Sequence, residues 1–533
     1  MDKIPCFASN PDNIKKSTMS SRILRSAFVV STMTFLSRIS GLIRDIAFAN
    51  YLGSGAAADA FFVAFRIPNL FRRIFGEGAF SLAFVPVFSE YHHSRSEQET
   101  RDFINRMLAR LGLAVLIVCI IGMLFSDLLI SLIAPGFRDE PAKFTMASES
   151  LRITFPYLFF ISLVAMAAGI FNTYDRFAVP AITPVLLNIC LITAAVVFVP
   201  GNENPALVLA IAVCISGLLQ FLLQIPFLKK QAICPVPSFK RGRDKQNDGV
   251  KRVFKLMLPV IYGSSVAQVN SIINTVLASF LVTGSVSWLY YSDRLMEFPL
   301  ALFVLAISTV ILPNLSKQHT QGDFKEFSRT LDWGLRVVLL IVVPSVIGMF
   351  VLSGQLMVTL FQYNEFSAHD AIMSAKSLRA YSFGLIGLAL VKVLAPGFYA
   401  KQDTKTPVKI GVISMIANVI LALALVGPFK HVGLATAFSL SACLNAVLLL
   451  WLLLRLGLYK PQAGWPVYIL RLVIVSVLMG GIVYFISGDV QDSLDSSLVQ
   501  RISNLAFWVV IGMTSFVILS YAIGLRIKHL LMY

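Results

Sequence analysis

The sequence predicts an all-α polytopic membrane protein. It would have fourteen transmembrane helices: two six-helix lobes related by a pseudo-two-fold along the membrane normal, plus two C-terminal helices. Three observations point there. First, of 533 residues 57% are hydrophobic and 14% charged, and the mean hydropathy is +0.77. Soluble domains carry roughly 25% charged residues, and a water-soluble core has too little polar surface to cover so much apolar side chain. Second, the chain divides into long, continuously apolar runs of the length a bilayer requires, unlike the short alternating strands of a membrane barrel. Third, parts of the first half recur in the second at a fixed distance. Leu151-Arg152 returns as Leu378-Arg379, Phe171 as Phe398, Pro180 as Pro407 and Pro86 as Pro313, all 227 residues on. Ala49-Asn50-Tyr51-Leu52 resembles Ala278-Ser279-Phe280-Leu281, and Phe61-Phe62 resembles Tyr290-Tyr291, at 229, so one small gap joins the two registers. Six spans per repeat is an even number, so both halves keep one orientation and the repeats are parallel.

In chain order the spans are 28–51 and 57–90, both interrupted by charge, then 107–134, 151–173, 177–199 and 206–228. The second half follows with 253–281, 285–313, 333–361, 374–400, 407–427 and 432–456, and the appended pair with 467–487 and 504–525. The corresponding domains are an N-terminal extension (1–25), an N-lobe (26–230), a basic loop (231–251), a C-lobe (252–458) and a C-terminal pair (459–533). About twenty polar residues precede the first span, and that span carries charges and lacks a clean cleavage site. It is expected to stay in the mature protein.

Loop charge sets the orientation. With the N-terminus in the cytoplasm, the inside segments hold 26 Lys and Arg and the outside segments 7. This asymmetry places both termini on the cytoplasmic side of the membrane. It also accounts for the net charge of +17 without a nucleic-acid partner. The loop with Lys229, Lys230, Lys240, Arg241, Arg243, Lys245, Lys251 and Arg252 reads as a topology anchor, with binding of anionic membrane lipids as the alternative. The six cysteines form no CxxC pair and read as apolar fillers.

Charge inside the spans is the functional signal, because each such group costs roughly 2.5–3.5 kcal/mol at mid-membrane. SRISGLIRD holds Arg38, Arg44 and Asp45, and DAFFVAFRIPNLFRRIFGEGAF holds Asp59, Arg66, Arg72, Arg73 and Glu77. Asp59, Arg66, Arg73 and Glu77, spaced 7, 7 and 4, share one helix face. SWLYYSDRLMEFP adds Asp293, Arg294 and Glu297, and Lys392 stands alone in LALVKVLAPGF. Structural ion pairing (Arg38 with Asp45, Arg73 with Glu77, Arg294 with Glu297) explains part of this set. Five Arg against three acids in the first two spans leave a cationic surplus. That surplus favours a hydrated cavity for an anion, and arginine's fork suits phosphate. No phosphate loop, HExxH motif or intramembrane His is present, so no metal and no cofactor is expected. Energy would come from an ion gradient, the membrane potential or the substrate gradient.

SRISGLIRD, DAFFVAFRIPNLFRRIFGEGAFSLAFVPVFSEY, SVSWLYYSDRLMEFP and VKVLAPGFYAKQDTKTPVKI closely resemble the MurJ (MviN) lipid II flippase family of the multidrug/oligosaccharidyl-lipid/polysaccharide exporter superfamily. The resemblance implies alternating access that moves lipid II, the undecaprenyl-diphosphate-linked muropeptide, from the cytoplasmic to the outer leaflet. It implies a transporter and no enzyme. It places Arg38, Arg44, Asp59, Arg72 and Arg294 in the cavity, with Ser37, Asn69, Arg73, Glu77 and Asp293 beside them. Asp59 and Glu77 would orient the arginines. Arg66 stands where the family can have Lys, and the family's basic position in the tenth span is Lys376 or Arg379. The last two spans resemble a groove for the prenyl tail. Some members bind sodium through acids in the C-lobe; Gln268, Asn270, Asn274 and Asn418 offer none, so that site is not carried over. Cell-wall synthesis and division proteins are candidate partners.

Three other readings compete. A drug exporter of the superfamily would show acids outnumbering Arg. A flippase for another polyprenyl-diphosphate glycolipid has the same residue chemistry. A membrane enzyme on such lipids would need Asp59 or Glu77 as a catalytic acid and would yield a new chemical species.

Overall fold

The computed structural model describes residues 11–76, 79–174, 176–231, 233, 235–239 and 248–525. Eighteen α-helices run through them. They are α1 (Pro11–Leu52), α2 (Ala56–Gly76), α3 (Ala79–Ser94), α4 (Glu97–Leu124), α5 (Ser126–Ile133), α6 (Pro141–Thr173), α7 (Ala178–Thr193) and α8 (Pro205–Lys230) in the first repeat. The second repeat has α9 (Gly249–Ser279), α10 (Ser285–Pro299), α11 (Leu305–Thr320), α12 (Phe324–Val351), α13 (Ser353–Phe361), α14 (Ala368–Tyr399) and α15 (Lys405–Arg455). The C-terminal part has α16 (Trp465–Ser487), α17 (Val490–Leu494) and α18 (Leu498–Ala522). Among the described residues, ten helices are long and apolar enough to cross a membrane. The expected spans 28–51 and 253–281 and the described parts of 57–90 are helical, but the ten do not include them. The expected spans 407–427 and 432–456 lie in α15, which is one run broken at Lys430 (φ 51°, ψ −130°) just after Pro428.

Helix ends follow local chemistry more than hydropathy. α4 begins ten residues before its apolar run because Ser96 and Glu99 form a capping box. α14 begins early for the same reason, with Ser367 and Asp370. Pro141 opens α6 at a position where a missing N–H costs nothing.

The internal repeat is visible in the element boundaries. The α4/α5 break at Phe125 has its counterpart 227 residues on, at Leu352 between α12 and α13. Pro141 and Ala368 start α6 and α14, and Ala178 and Lys405 start α7 and α15, at the same offset. The Arg152 Nε donates to Ser126 Oγ (3.3 Å), and the Arg379 Nε donates to Ser353 Oγ (2.7 Å), so one arginine clamp on a helix break is used twice. A π-helical turn, Leu300–Val304, joins α10 to α11.

Small residues allow the helices to approach, as expected where lipid gives no hydrophobic drive between them. A Cβ on Gly387 of α14 would lie 2.4 Å from the Ala442 carbonyl carbon of α15, and one on Gly217 of α8 would lie 2.7 Å from the ring of Tyr157 on α6. Outside these seams the helices turn large apolar side chains outward, among them Leu124, Leu132, Phe485 and Met513.

Candidate functional site

A cavity of about 450 Å³ lies between α2 of the first repeat and α9, α10, α14 and α15 of the second. Its charged lining is Arg66 and Arg73 from α2, and Asp293, Arg294 and Glu297 from α10. Asn69, Gln268, Asn270, Ser271 and Tyr290 add polar groups. Three arginines face two carboxylates. Arg66 donates to the Ser271 carbonyl (2.7 Å) and to the Thr275 hydroxyl, so it also ties α2 to α9. Phe62 stacks on Tyr290 with centroids 3.9 Å apart, which joins the two repeats beside the cavity.

Behind that lining is a buried cluster around Asp45. Its carboxylate accepts from Arg44 (2.7 and 3.0 Å) and from the Tyr290 hydroxyl (2.9 Å), and it lies 3.7 Å from Arg294 Nε. Arg44 also donates to Asn188 Oδ1 (3.1 Å) and Tyr290 (3.3 Å) and is 6% exposed. Arg294 is held loosely, with Glu297 at 3.8 Å and its guanidinium over the Tyr290 ring at 5.4 Å. Two arginines thus share one aspartate. The tightly bound Arg44 completes the wall, while the partly buried Arg294, whose Nε has no hydrogen-bond partner among the described residues, keeps hydrogen-bonding capacity for an anion.

The repeats are latched together at one end of the cleft. Asp59 is 1% exposed and accepts from Gly284 N (2.8 Å), Ser287 N (2.9 Å) and Ser287 Oγ (2.6 Å). It therefore caps the N-terminus of α10 from the other repeat. Lys143 of α6 stands 3.3 Å from the same carboxylate, 3.0 Å from the Thr283 hydroxyl and 4.4 Å above the Phe137 ring. Asn364 donates to Asn50 (2.8 Å), Tyr291 donates to the Gly53 carbonyl (3.1 Å), and the Glu365 N–H donates to the Asn50 carbonyl (3.3 Å) at that end. Gly53 has φ +69°, and a Cβ there would stand 2.5 Å from the Glu365 carbonyl oxygen, so the close approach requires glycine.

At the opposite face, Asp248 caps α9 and takes Arg110 (2.8 Å) and Arg106 (3.5 Å), while Arg252 reaches Glu90 (2.7 Å). Burial alone would raise the Asp248 pKa. The hydrogen bond and charge of Arg110, the Val250 N–H and Arg106 outweigh it and hold the carboxyl below its usual value.

Of the expected site residues, Asn69, Arg73, Asp293 and Arg294 line the cavity, and Arg66 joins them. Arg44 stands behind the wall. Asp59 is a correction: it belongs to the latch and orients no arginine, because two helical turns separate it from Arg66 and the bare α10 N-terminus claims its oxygens. Asp45 is likewise taken by Arg44, and Arg38 is exposed. Neither Arg38 nor Ser37, whose carbonyl accepts from Asn188, lines the cavity. Arg72 donates to Asn69 (3.1 Å) one step outside the lining. Glu77 lies outside the described residues. Lys376 and Arg379 line a different cavity. The C-lobe amides knit helices together, Asn418 donating to Asn270 (2.7 Å) and Asn274 (3.0 Å). Sequence reasoning missed Lys143 and Asn188. Lys143 falls among the charges of an expected outer loop, and the proline that initiates its helix, Pro141, is the signal that could mark it.

Two repeats of helices packed around a charged, partly polar cavity are the architecture of a membrane transporter. The solved inward-facing conformation of a multidrug-resistance MATE family transporter of the MOP superfamily shares this fold, with a TM-score of 0.64 at 14% identity over 81% of this chain and 98% of that one. The particular family is narrower: residues 48–503 match the family described as lipid II flippase MurJ, and the chain belongs to it. The probable lipid II flippase MurJ of Vibrio cholerae serotype O1 is 43% identical over 520 residues, 96% of this chain and 98% of that protein. The lipid II flippase MurJ of Burkholderia cenocepacia is 42% identical over 87% of this chain and 90% of its own. A solved lipid II flippase MurJ in the inward closed conformation superposes with a TM-score of 0.79 at 27% identity, covering 94% of this chain and 100% of that one.

Proposed function

We propose that this chain moves lipid II, as an undecaprenyl-diphosphate-linked muropeptide, from the cytoplasmic to the outer leaflet of the bacterial inner membrane. It does so as a transporter, without chemical change to the lipid. The observation that carries the reading is the surplus of arginine over carboxylate in a cavity between two repeats. A diphosphate head cannot cross hydrocarbon alone, and Arg66, Arg73 and Arg294 offer it charge-assisted hydrogen bonds. The prenyl tail stays in lipid along the apolar outer faces of α16 and α18. The lobes 26–230 and 252–458 are the moving bodies, both termini are cytoplasmic, and the latch of Asp59 on the N-terminus of α10 closes the outer mouth. Head-group binding neutralises the cationic surplus and so favours one state over the other, as a ligand must to shift an equilibrium. No cofactor takes part, and the membrane potential or an ion gradient supplies the bias.

The test is the sidedness of lipid II in cells depleted of this protein and rescued with wild type or Arg294→Ala. Intact lipid II trapped inside, released by wild type only, supports the reading and its arginine. Outer exposure that survives depletion while polymer disappears places the protein after translocation and sinks it.

A further inference from the structure

Seven basic residues fall in the segments expected on the outer, non-cytoplasmic side, where Lys and Arg are scarce: Arg138, Lys143, Arg152, Lys376, Arg379, Lys430 and Arg501. Five have structural partners. Arg138 donates to Ser131 (3.2 Å), Lys143 pairs with Asp59, and Arg152 and Arg379 clamp the two helix breaks. Arg501 donates to Gln362 Oε1 (2.7 Å) and to the Leu494 carbonyl (2.7 Å). Lys376 and Lys430 have no hydrogen-bond or ion-pair partner among the described residues. Both line one cavity of about 650 Å³, with Arg379, His369, His431 and Trp288.

This cavity shares no lining residue with the central one. Three permanent cations and two imidazoles line it, and no carboxylate does. The neighbouring acid, Asp370, is engaged elsewhere: it accepts from Trp288 Nε1 (2.8 Å) and from the Ser367 hydroxyl (2.6 Å). The Trp288 ring is packed between His431 (4.9 Å) and His369 (5.7 Å). His431 is 5% exposed, its Nε2 lies 3.2 Å from the Met373 carbonyl oxygen, and its Nδ1 has no partner among the described residues. Lys430 holds φ 51°, a conformation glycine adopts freely and lysine does not. Such strain persists where the surrounding structure imposes it, often at a binding site.

We propose that this cavity is a second anion site, which takes a phosphate or diphosphate group carried by a lipid head group or free in solution. One arginine fork and two ammonium groups around a buried imidazole suit a multiply charged oxyanion better than a single carboxylate. The assignment does not rest on the transport reading.

The experiment uses the full-length chain in phosphatidylcholine nanodiscs, titrated calorimetrically with inorganic pyrophosphate. Lys376→Gln and Lys430→Gly are each expected to weaken binding by roughly tenfold or more, the loss of one charge-assisted contact. Lys430→Gly also relieves the backbone strain, so it should fold at least as stably as wild type, and its loss of binding cannot be ascribed to misfolding. Arg294→Gln, in the central cavity, should leave this binding unchanged. No binding by wild type, binding that survives both lysine variants, or binding lost only with Arg294→Gln would overturn the proposal. Native mass spectrometry then separates the sources. Phosphatidylglycerol retained by wild type and shed by Lys430→Gly assigns a lipid phosphate, and equal retention alongside lysine-dependent pyrophosphate binding assigns a free one.

Discussion

Replacing Asp59 by Asn should open the latched mouth, and the magnitude follows from its contacts. The carboxylate lies 3.3 Å from Lys143, which is 2% exposed. Removing one member of a buried ion pair costs about 3–5 kcal/mol. Thr283 at 3.0 Å and Glu140 at 3.6 Å remain near the ammonium and keep the loss at the low end. An amide oxygen can still accept from the Ser287 N–H and hydroxyl, but its NH₂ then faces the Gly284 N–H, and an orphaned buried donor adds about 1–3 kcal/mol. The sum, about 4 kcal/mol, is roughly a thousandfold in the closed-to-open ratio. Cysteines at Asn50 and Asn364, whose amides meet at 2.8 Å across the repeats, report the closed mouth by disulfide formation in a chain otherwise free of cysteine. The strain of a non-glycine residue at position 364 (φ 40°) is common to both backgrounds. Asp59→Asn should slow cross-linking sharply, and adding Lys143→Met should restore part of it, because the uncompensated charge is then gone. Cross-linking at the wild-type rate in Asp59→Asn, with an unchanged unfolding midpoint, would refute the latch.

Arg44→Ala should lower the thermal unfolding midpoint by several degrees, since it takes two hydrogen bonds and the nearest cation from buried Asp45 and a donor from Asn188. Arg294→Ala should abolish lipid II export in the depletion strain with a smaller midpoint change, because its contacts at 3.7 and 3.8 Å are loose. Equal destabilisation of the two variants would argue against a division between wall and site. Gly387→Ala should destabilise the fold by about 1–3 kcal/mol through overpacking against the α15 backbone, whereas Gly427→Ala, with open space around it, should not; scanning calorimetry of the two separates them. The depressed Asp248 pKa gives a signed pH dependence. Its stabilisation is complete above the ordinary carboxyl pKa of about 4 and is lost as pH falls through the lower folded value. The hydrogen-exchange protection factor at the start of α9, corrected for the intrinsic pH dependence of exchange, should therefore be flat from neutral pH down to about 5, and Asp248→Asn should lower it at neutral pH.

Hydropathy, the 227-residue register and the loop-charge asymmetry made the helical membrane fold and its repeat legible from the sequence, because each depends only on neighbours along the chain. The intramembrane charges also stood out, and Asn69, Arg73, Asp293 and Arg294 do line the cavity. Which charge meets which was not legible. Asp59 and Lys143 are 84 residues apart in the chain, Arg44 and Asn188 are 144 apart, and Asp45 and Arg294 are 249 apart. Helical spacing put Asp59 with Arg66 and Arg73 on one face, but a face is about 10 Å long over seven residues and passes from the cavity into the latch. Lys376 was a candidate only through the family resemblance and Lys430 only a loop cation; α14 and the broken α15 bring them to one pocket, apart from the central cavity. Local pattern determined what each helix is. Packing between helices decided which of its charges are neutralised and which are left for a ligand, since the energy of a buried charge depends on partners that only the folded chain supplies.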